Sequence, residues 1–367
     1  MKIAKMVVIL VLALGLIASV ANADFTFGEP TNLGAMVNSS SGDLSPSISA
    51  DGLILIFQSN RPGGYGKADL YVTTRATTIE PWGEPVNFGP SINSPQIDLS
   101  PSLSPDVCTL YYGSYRPGGY VPCDIWVSTR ATTDDAWGEP VNLGPTINHS
   151  GYDATPFISE DGLELYFNSL SRSGGYGGDD IWVSARETKE DEWGTPVNLG
   201  PPVNSVHEEV WETLSADGLL LFFSSGIWVP DRPGGLGKSD IWMASRKSRD
   251  ADWGEPVNLG SPVNSPDGEI SPVISADGST LYFASNRPGG SGSNDLWQAS
   301  IEPVVDLNSD GIVDATDMCI MIEHWLTDYP LCDIGPMPWG DGTVDVQDLI
   351  VLAEHLFEEI PPAEPIE

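Results

Sequence analysis

The stretch Asp306-Leu307-Asn308-Ser309-Asp310-Gly311-Ile312-Val313-Asp314-Ala315-Thr316-Asp317 holds the residues whose types and spacing most directly imply chemistry. Oxygen-bearing side chains stand at loop positions 1, 3, 5, 9 and 12, and the Ile312 carbonyl stands at position 7. Hard oxygen donors in that rhythm can surround Ca2+, and Gly311 at position 6 permits the sharp turn that gathers them. An apolar run over residues 318–326 follows at once and reads as a helix. A weaker second copy lies further on, where Val344-Asp345-Val346-Gln347-Asp348 mirrors residues 313–317 and Glu354-His355 mirrors Glu323-His324. There Asp341, Thr343, Asp345 and Asp348 take positions 5, 7, 9 and 12, while strict counting puts Met337 and Trp339 at positions 1 and 3. Asp333 becomes the first ligand only if a short bulge containing Pro336 and Pro338 leaves the loop. His324 and His355 each follow a Glu on these helices and read as structural or surface residues.

A second group of chemically capable residues recurs through the rest of the chain. Asp43, Asp98, Asp153, Glu209 and Glu269 each precede a turn that reads Asp-Gly at Asp51, Asp161, Asp217 and Asp277, and Asp106-Val107 in the second copy. If they sit at the start of an innermost strand, they form a ring of carboxylates around a central channel. Like charges that close need a cation, a backbone donor or an Arg to offset them. Hydrogen bonding to neighbouring turns is the plainer role.

The elements that position these groups are legible from the repeat. Short apolar runs follow each turn, an RPGG-type loop comes next, then Asp-Ile-Trp or its equivalent, and finally a GEPVNLG-type segment at Gly28, Gly83, Gly138, Gly194 and Gly254. Five such copies with strand chemistry and Gly/Pro turns predict a five-bladed β-propeller of four strands per blade. The first copy holds only the GEPVNLG strand and the last lacks it, so N- and C-terminal segments should complete one blade and close the ring. Arg61, Arg116, Arg172, Arg232 and Arg287 recur with Asp69, Asp124, Asp180, Asp240 and Asp295, which predicts ion pairs between them. Trp82, Trp137, Trp193 and Trp253, with Tyr71, Trp126, Trp182, Trp242 and Trp297, read as packing between blades.

A specific site is to be sought where the symmetry breaks. The fourth copy replaces Ser-Pro by Trp211-Glu212, preceded by His207-Glu208-Glu209, and inserts a segment containing Trp228. Aromatic faces beside carboxylates suit sugar rings and their hydroxyls, so Trp211, Trp228, Glu209 and Glu212 are candidate ligand-binding residues. The alternative is a blade that drifted without function.

Residues 1–23 read as a secretory signal peptide: Lys2 and Lys5, an apolar run too short to span a bilayer, and Ala21-Asn22-Ala23 as the cleavage site near Ala23. The mature chain is thus expected outside the cell or at its surface. Fifty-two acidic against sixteen basic residues give a net charge of −36, which disfavours nucleic acid; no second apolar run argues for membrane insertion. Four cysteines are too few for a disulfide scaffold; export permits a Cys319–Cys332 bridge, and free thiols fit as well. The acidic, Pro-rich tail over residues 359–367 reads as disordered.

The pattern SPxISADGxxLYFxSxRPGGxGxxDIW resembles the WD40-like PD40 repeat of TolB-type propellers over residues 24–302. That resemblance implies a mainly β propeller that binds protein or glycan without a fixed activity, although TolB itself has six blades. Residues 303–358 resemble a type I dockerin, a small all-α module of paired loop–helix halves. This likeness implies Ca2+ bound by Asp306, Asn308, Asp310, Ile312, Asp314 and Asp317, a cohesin domain as partner, and Ala315-Thr316 and Val346-Gln347 as the recognition pairs. The expectation is a secreted binding protein docked into a polysaccharide-handling assembly, with no catalytic residue assigned, because five copies of one group do not supply the unlike pKa values that acid–base chemistry needs. The alternative is a glycoside hydrolase or polysaccharide lyase on the same scaffold, with Asp153, Glu209 and Glu212 as the trio to test. A purely structural adaptor between proteins is the third possibility.

Overall fold

The computed structural model describes residues 25–120, 122–149, 151–226, 232–308, 310–327, 332–335 and 343–359. The segment expected to be a signal peptide, Trp228, Asp341 and the tail beyond Glu359 lie outside the described residues. The chain divides into two compact units, Phe27–Pro303 and a smaller one from Val304 onward.

Two short strands open the chain, β1 (Phe25–Phe27) and β2 (Thr31–Asn32). Blade one then holds β3 (Asp43–Ile48), β4 (Ile54–Ser59), β5 (Asp69–Thr74) and β6 (Val86–Asn87). Blade two holds β7 (Asp98–Leu103), β8 (Thr109–Ser114), β9 (Asp124–Thr129) and β10 (Val141–Asn142). Blade three holds β11 (Tyr152–Ile158), β12 (Glu164–Leu170), β13 (Asp179–Ala185) and β14 (Val197–Asn198). Blade four holds β15 (Val210–Leu214), β16 (Leu220–Ser225), β17 (Asp240–Ser245) and β18 (Val257–Asn258). Blade five holds β19 (Glu269–Ile274), β20 (Thr280–Ser285) and β21 (Asp295–Pro303), and takes β2 as its outer strand through Thr31 opposite Gln298 and Asn32 opposite Trp297. The expected five blades and the closing exchange of strands are both present.

Each blade covers an apolar face of the next. Leu55, Phe57, Tyr71 and Trp82 of blade one pack with Ala284 and Leu296 of blade five, and Tyr111 and Ile125 of blade two pack with Leu165, Phe167 and Trp182 of blade three. Arg75, Arg130, Arg186 and Arg246 stack 4.2–4.4 Å over Trp82, Trp137, Trp193 and Trp253, which keeps a cation on each of these indoles. The packing role expected for the tryptophans therefore holds.

The repeated ion pairs differ from the expected ones. Arg61, Arg116, Arg172, Arg232 and Arg287 reach Asp43, Asp98, Asp153, Glu209 and Glu269 at 2.7–3.2 Å, and each of these carboxylates is fully buried. The carboxylate ring around a channel does not form. Each inner-strand acid is instead held by its own guanidinium, and by a serine or histidine backbone N–H four residues earlier, as at Ser205 and Ser265. Asp69 and its equivalents cap the glycine loop, where Asp69 accepts from the N–H groups of Tyr65 and Gly66 and from Asn87 Nδ2 at 2.9 Å. A short acid at the end of a glycine loop is satisfied locally, which leaves the arginine free to reach back to the inner strand.

One glycine shows how closely blades approach. A side chain on Gly237 would meet the backbone carbonyl oxygens of Ser265 and Asp267 on the segment entering blade five, so only hydrogen fits there.

The smaller unit carries α1 (Ala315–Glu323) and α2 (Val346–Glu354). Asp314 and Asp317 form a reciprocal capping box at the start of α1, and Asp345 and Asp348 do the same for α2. Leu326 N donates to the Val344 carbonyl at 2.8 Å, and Phe357 N donates to the Val313 carbonyl at 2.7 Å. The two halves thus tie to one another at matching positions. Val305, Val313, Met321, Cys332, Ile334, Val344 and Leu352 fill the space between them. All four cysteines are free thiols.

Candidate functional site

The inner strands line a cavity of about 90 Å3 on the propeller axis. It runs from the Ser-Pro level of each strand to the residues just before the Asp-Gly turns, Ala50, Pro105, Glu160, Ala216 and Ala276. At the Ser-Pro level every inner strand carries a bulge, and Ser45, Ser100, Thr155, Trp211 and Ser271 adopt φ of 46–55° there. A bulge leaves an N–H without a ladder partner, and the proline that follows in four blades (Pro46, Pro101, Pro156, Pro272) removes that donor. The left-handed residue turns its side chain to the axis. Ser45 Oγ lies 3.2 Å from Ser100 Oγ and 3.4 Å from Ser271 Oγ, a ring of hydroxyls around the bore.

Blade four departs from this rule with two adjacent changes. Trp211 takes the serine position, stays partly exposed, and donates from Nε1 to Ser100 Oγ across the axis at 3.1 Å. Glu212 takes the proline position and is 4% exposed. Its Oε2 lies 3.5 Å from Thr155 Oγ1, and its Oε1 has no hydrogen-bond partner. Burial drives the Glu212 carboxyl well above the usual carboxylate range, and the nearby charge of Asp179 acts in the same direction.

The same seam between blades three and four concentrates further acids. Asp179 precedes the loop-capping Asp180, and its backbone carbonyl accepts from Glu209 N at 2.9 Å to join the two blades. Asn168 Nδ2 donates to Asp179 Oδ1 at 3.0 Å, and the Thr155 hydroxyl donates to Asn168 Oδ1. Burial raises Asp179 to about 7, and the charges of Glu208, Asp180 and Asp153 add to the effect. Neither Glu212 nor Asp179 has an ion-pair partner among the described residues, although the flanking acids do: Asp153 with Arg172 and Glu209 with Arg232. At the preceding seam the corresponding space is apolar, filled by Leu99, Cys123 and Ala154 with Ile97, Tyr115 and Tyr152.

Of the candidate ligand-binding residues, Trp211 and Glu212 meet at the cavity wall, while Glu209 lies buried beside Arg232 outside the lining. Burial raises the Glu209 carboxyl as well, in spite of that arginine. Asp153 is likewise committed to Arg172, so the trio Asp153, Glu209 and Glu212 does not converge on the cavity. Thr155, Asn168 and Asp179 escaped the sequence reading, and Glu208 was named there only as part of the broken fourth repeat. Their signal was available: each stands at a repeat position that other blades fill with different residue types.

In the smaller unit the first loop is wound on its own backbone. Asp306 accepts from Asp310 N at 3.1 Å and Gly311 N at 2.8 Å, and Asn308 Oδ1 accepts from Asp310 N at 2.8 Å. Asp317, fully buried, accepts from Leu307 N at 2.8 Å and Asp314 N at 2.8 Å. The donor chemistry, all oxygen with no sulfur or imidazole, fits Ca2+. Among the described residues no three Asp, Glu, His or Cys side chains converge as a metal cluster. In the second half Asp348 accepts from Gly335 N at 2.8 Å and Asp345 N at 2.6 Å, and Asp333 is buried. Ala315, Thr316, Val346 and Gln347 lie in the first turns of α1 and α2; Val346 is 55% exposed.

No family model and no curated protein matches this chain. Solved structures do. An α-L-arabinofuranosidase from Podospora anserina, PaAbf62A, determined in complex with cellotriose, superposes with TM-score 0.50 at 14% identity over 77% of this chain and 99% of its own. The arabinanase Arb43A of Bacillus subtilis gives TM-score 0.49 at 14% identity, over 74% and 97%. TolB from Acinetobacter baumannii gives TM-score 0.44 at 15% identity over 76% of this chain, which spans 63% of that TolB. The likeness to PaAbf62A is one of fold, a mainly β propeller.

Proposed function

We propose that this chain is an exported carbohydrate-handling propeller whose site is the axial cavity at Trp211 and Glu212. One observation carries the reading: at this level the other four blades present only small hydroxyls and prolines, and blade four places an indole and a buried carboxyl there instead. An aromatic face beside a hydrogen-bonding group is the chemistry that holds a sugar ring. The scaffold is also that of an arabinofuranosidase solved with cellotriose.

Hydrolysis of glycosidic bonds is the second reading, and a specific observation favours it. Glu212 and Asp179 both retain a proton to unusually high pH, which is what a general acid needs. One pair of variants separates binding from turnover in the full chain, assayed on neutral arabino-, xylo- and gluco-oligosaccharides. Trp211→Ala should lower affinity at least ten-fold in either case. Glu212→Gln should abolish turnover if the protein is a hydrolase and leave no activity to lose if it only binds. Affinity that survives Trp211→Ala would move the site elsewhere.

For the smaller unit the reading is a dockerin-like module that holds Ca2+ through Asp306, Asn308, Asp310, Ile312, Asp314 and Asp317 and docks to a cohesin domain. The paired capping boxes and the matched ties between halves support it. Because ligand binding to the folded state stabilises it by mass action, chelation with EDTA should lower the melting temperature of this unit and leave the propeller transition in place. Calorimetry with and without added Ca2+ checks this; identical traces would remove the metal from the account.

A further inference from the structure

The inner strands begin at the end of the axis opposite the Asp-Gly turns, and this face also breaks the five-fold pattern. One row beyond the inner-strand acids, blade two holds Ile97 and Tyr115, joined by Tyr115 N donating to the Ile97 carbonyl at 2.9 Å. Blade three extends its strands into this row and pairs Tyr152 with Leu170. The equivalent positions are Gly42 and Asn60 in blade one, Glu208 and Gly226 in blade four, and Gly268 and Asn286 in blade five. Aromatic bulk therefore stands on two adjacent blades and not on the other three.

These side chains are held in place from below. The Tyr115 and Tyr152 rings lie 6.3 Å apart between centroids and rest on Leu99, Cys123 and Ala154. Cys123 and Tyr152 also form the bridge that joins blade two to blade three. The glycine loops of the same two blades carry Tyr120 and Tyr176, 60% and 53% exposed, and Leu170 is 41% exposed. Asp124 accepts from Tyr120 N and Asp180 from Tyr176 N, both at 2.6 Å. A side chain on Gly119 or Gly175 would strike those same carboxylates, so each loop closes tightly on its acid. A tyrosine on a fixed backbone offers a large amphipathic face and loses little freedom when a ligand lands on it.

We propose that the strip formed by Tyr115, Tyr120, Tyr152, Leu170 and Tyr176 is a second carbohydrate surface, an open platform on which the body of a neutral glycan chain lies. The two loops, residues 115–123 and 170–178, contain no acid and no cation besides Arg116 and Arg172, which are bound to Asp98 and Asp153. A charged chain finds no free counter-charge there. A globular protein needs an apolar centre within a broad contact, and here the flanking blades offer glycine, asparagine and a buried glutamate. Tyrosine faces with polar tips on successive blades suit successive sugar units. The platform shares no residue with the cavity at Trp211, so it goes beyond that reading and keeps only its ligand class.

The experiment is calorimetric titration of the full chain with soluble arabinan and arabinoxylan, and with polygalacturonate as an anionic counterpart. The bond from each loop to its acid uses the backbone N–H of the tyrosine, which alanine keeps. Wild type should bind a neutral polymer and not polygalacturonate. Tyr120→Ala/Tyr176→Ala should lose at least ten-fold in polymer affinity, while Tyr120→Phe/Tyr176→Phe and Trp211→Ala should each stay within about three-fold of wild type. Full polymer affinity in the double alanine variant, an equal loss in the phenylalanine variant, or binding of polygalacturonate each overturns the proposal. Sedimentation of wild type beside the double alanine variant covers the other occupant: a dimer that the alanine pair dissociates would give the strip to a second copy of the chain. Loss of polymer binding in Trp211→Ala alone removes the strip and leaves the cavity standing. Binding of neither neutral polymer also removes the strip, and titration with short oligosaccharides then decides the cavity by itself.

Discussion

Asp179→Asn is expected to stabilise the propeller by roughly 2–4 kcal/mol at pH 8 and to leave it unchanged near pH 4. The native carboxyl titrates at about 7, against an ordinary value of 3.8. Between those two values the folded protein holds a proton that the unfolded chain has released. Stability from this group is therefore complete below pH 4, falls as pH rises toward 7, and is flat beyond. Asparagine has no charge to bury, and its Oδ1 still accepts from Asn168. Urea denaturation at pH 4, 6 and 8 measures the difference; an advantage that stays constant across the series would sever it from the ionisation of Asp179.

Asp98→Ala is expected to cost about 3–5 kcal/mol, because it strands a largely buried guanidinium. Asp98 accepts three hydrogen bonds, from Arg116 at 2.9 Å, from Ser114 Oγ and from Ser94 N. Arg116 also lies 5.2 Å over the rings of Tyr112 and Trp126, so losing its partner disturbs the packing beneath it. Replacing both members, with Arg116→Met beside Asp98→Ala, should recover most of the loss, since an apolar pair carries no unmet charge. Denaturation of the two single variants and the double variant checks this. A single-variant cost under about 1 kcal/mol would class the pair with ordinary surface bridges.

The blade count and the closing exchange were legible because period and strand chemistry are local: an Asp-Gly turn, an apolar run and a Gly-rich loop say the same thing wherever they stand. Which acid meets which arginine was not legible. Arg61 lies closer in sequence to Asp69 than to Asp43, yet Asp69 is met by the loop's own N–H groups, and the arginine follows its strand back to the inner edge. Trp211-Glu212 stood out as a broken repeat. Its partners did not, because Thr155, Asn168 and Asp179 sit on three other strands, and only the β15 seam brings them to Glu212. Trp211 was legible as an aromatic but not as the residue that spans the bore.

The outer strand of blade five comes from the other end of the polypeptide, with Thr31 facing Gln298. That pairing joins positions more than two hundred residues apart, so it carries the largest entropic penalty of any step in assembly. As the chain is made, the ring cannot be completed until its final blade has emerged, and four stacked sheets must wait with one flank uncovered. A rearranged gene that begins within another blade, with Pro303 joined directly to Phe25 and the smaller unit moved elsewhere, would turn this slowest union into a neighbourly hairpin and leave the finished toroid unchanged.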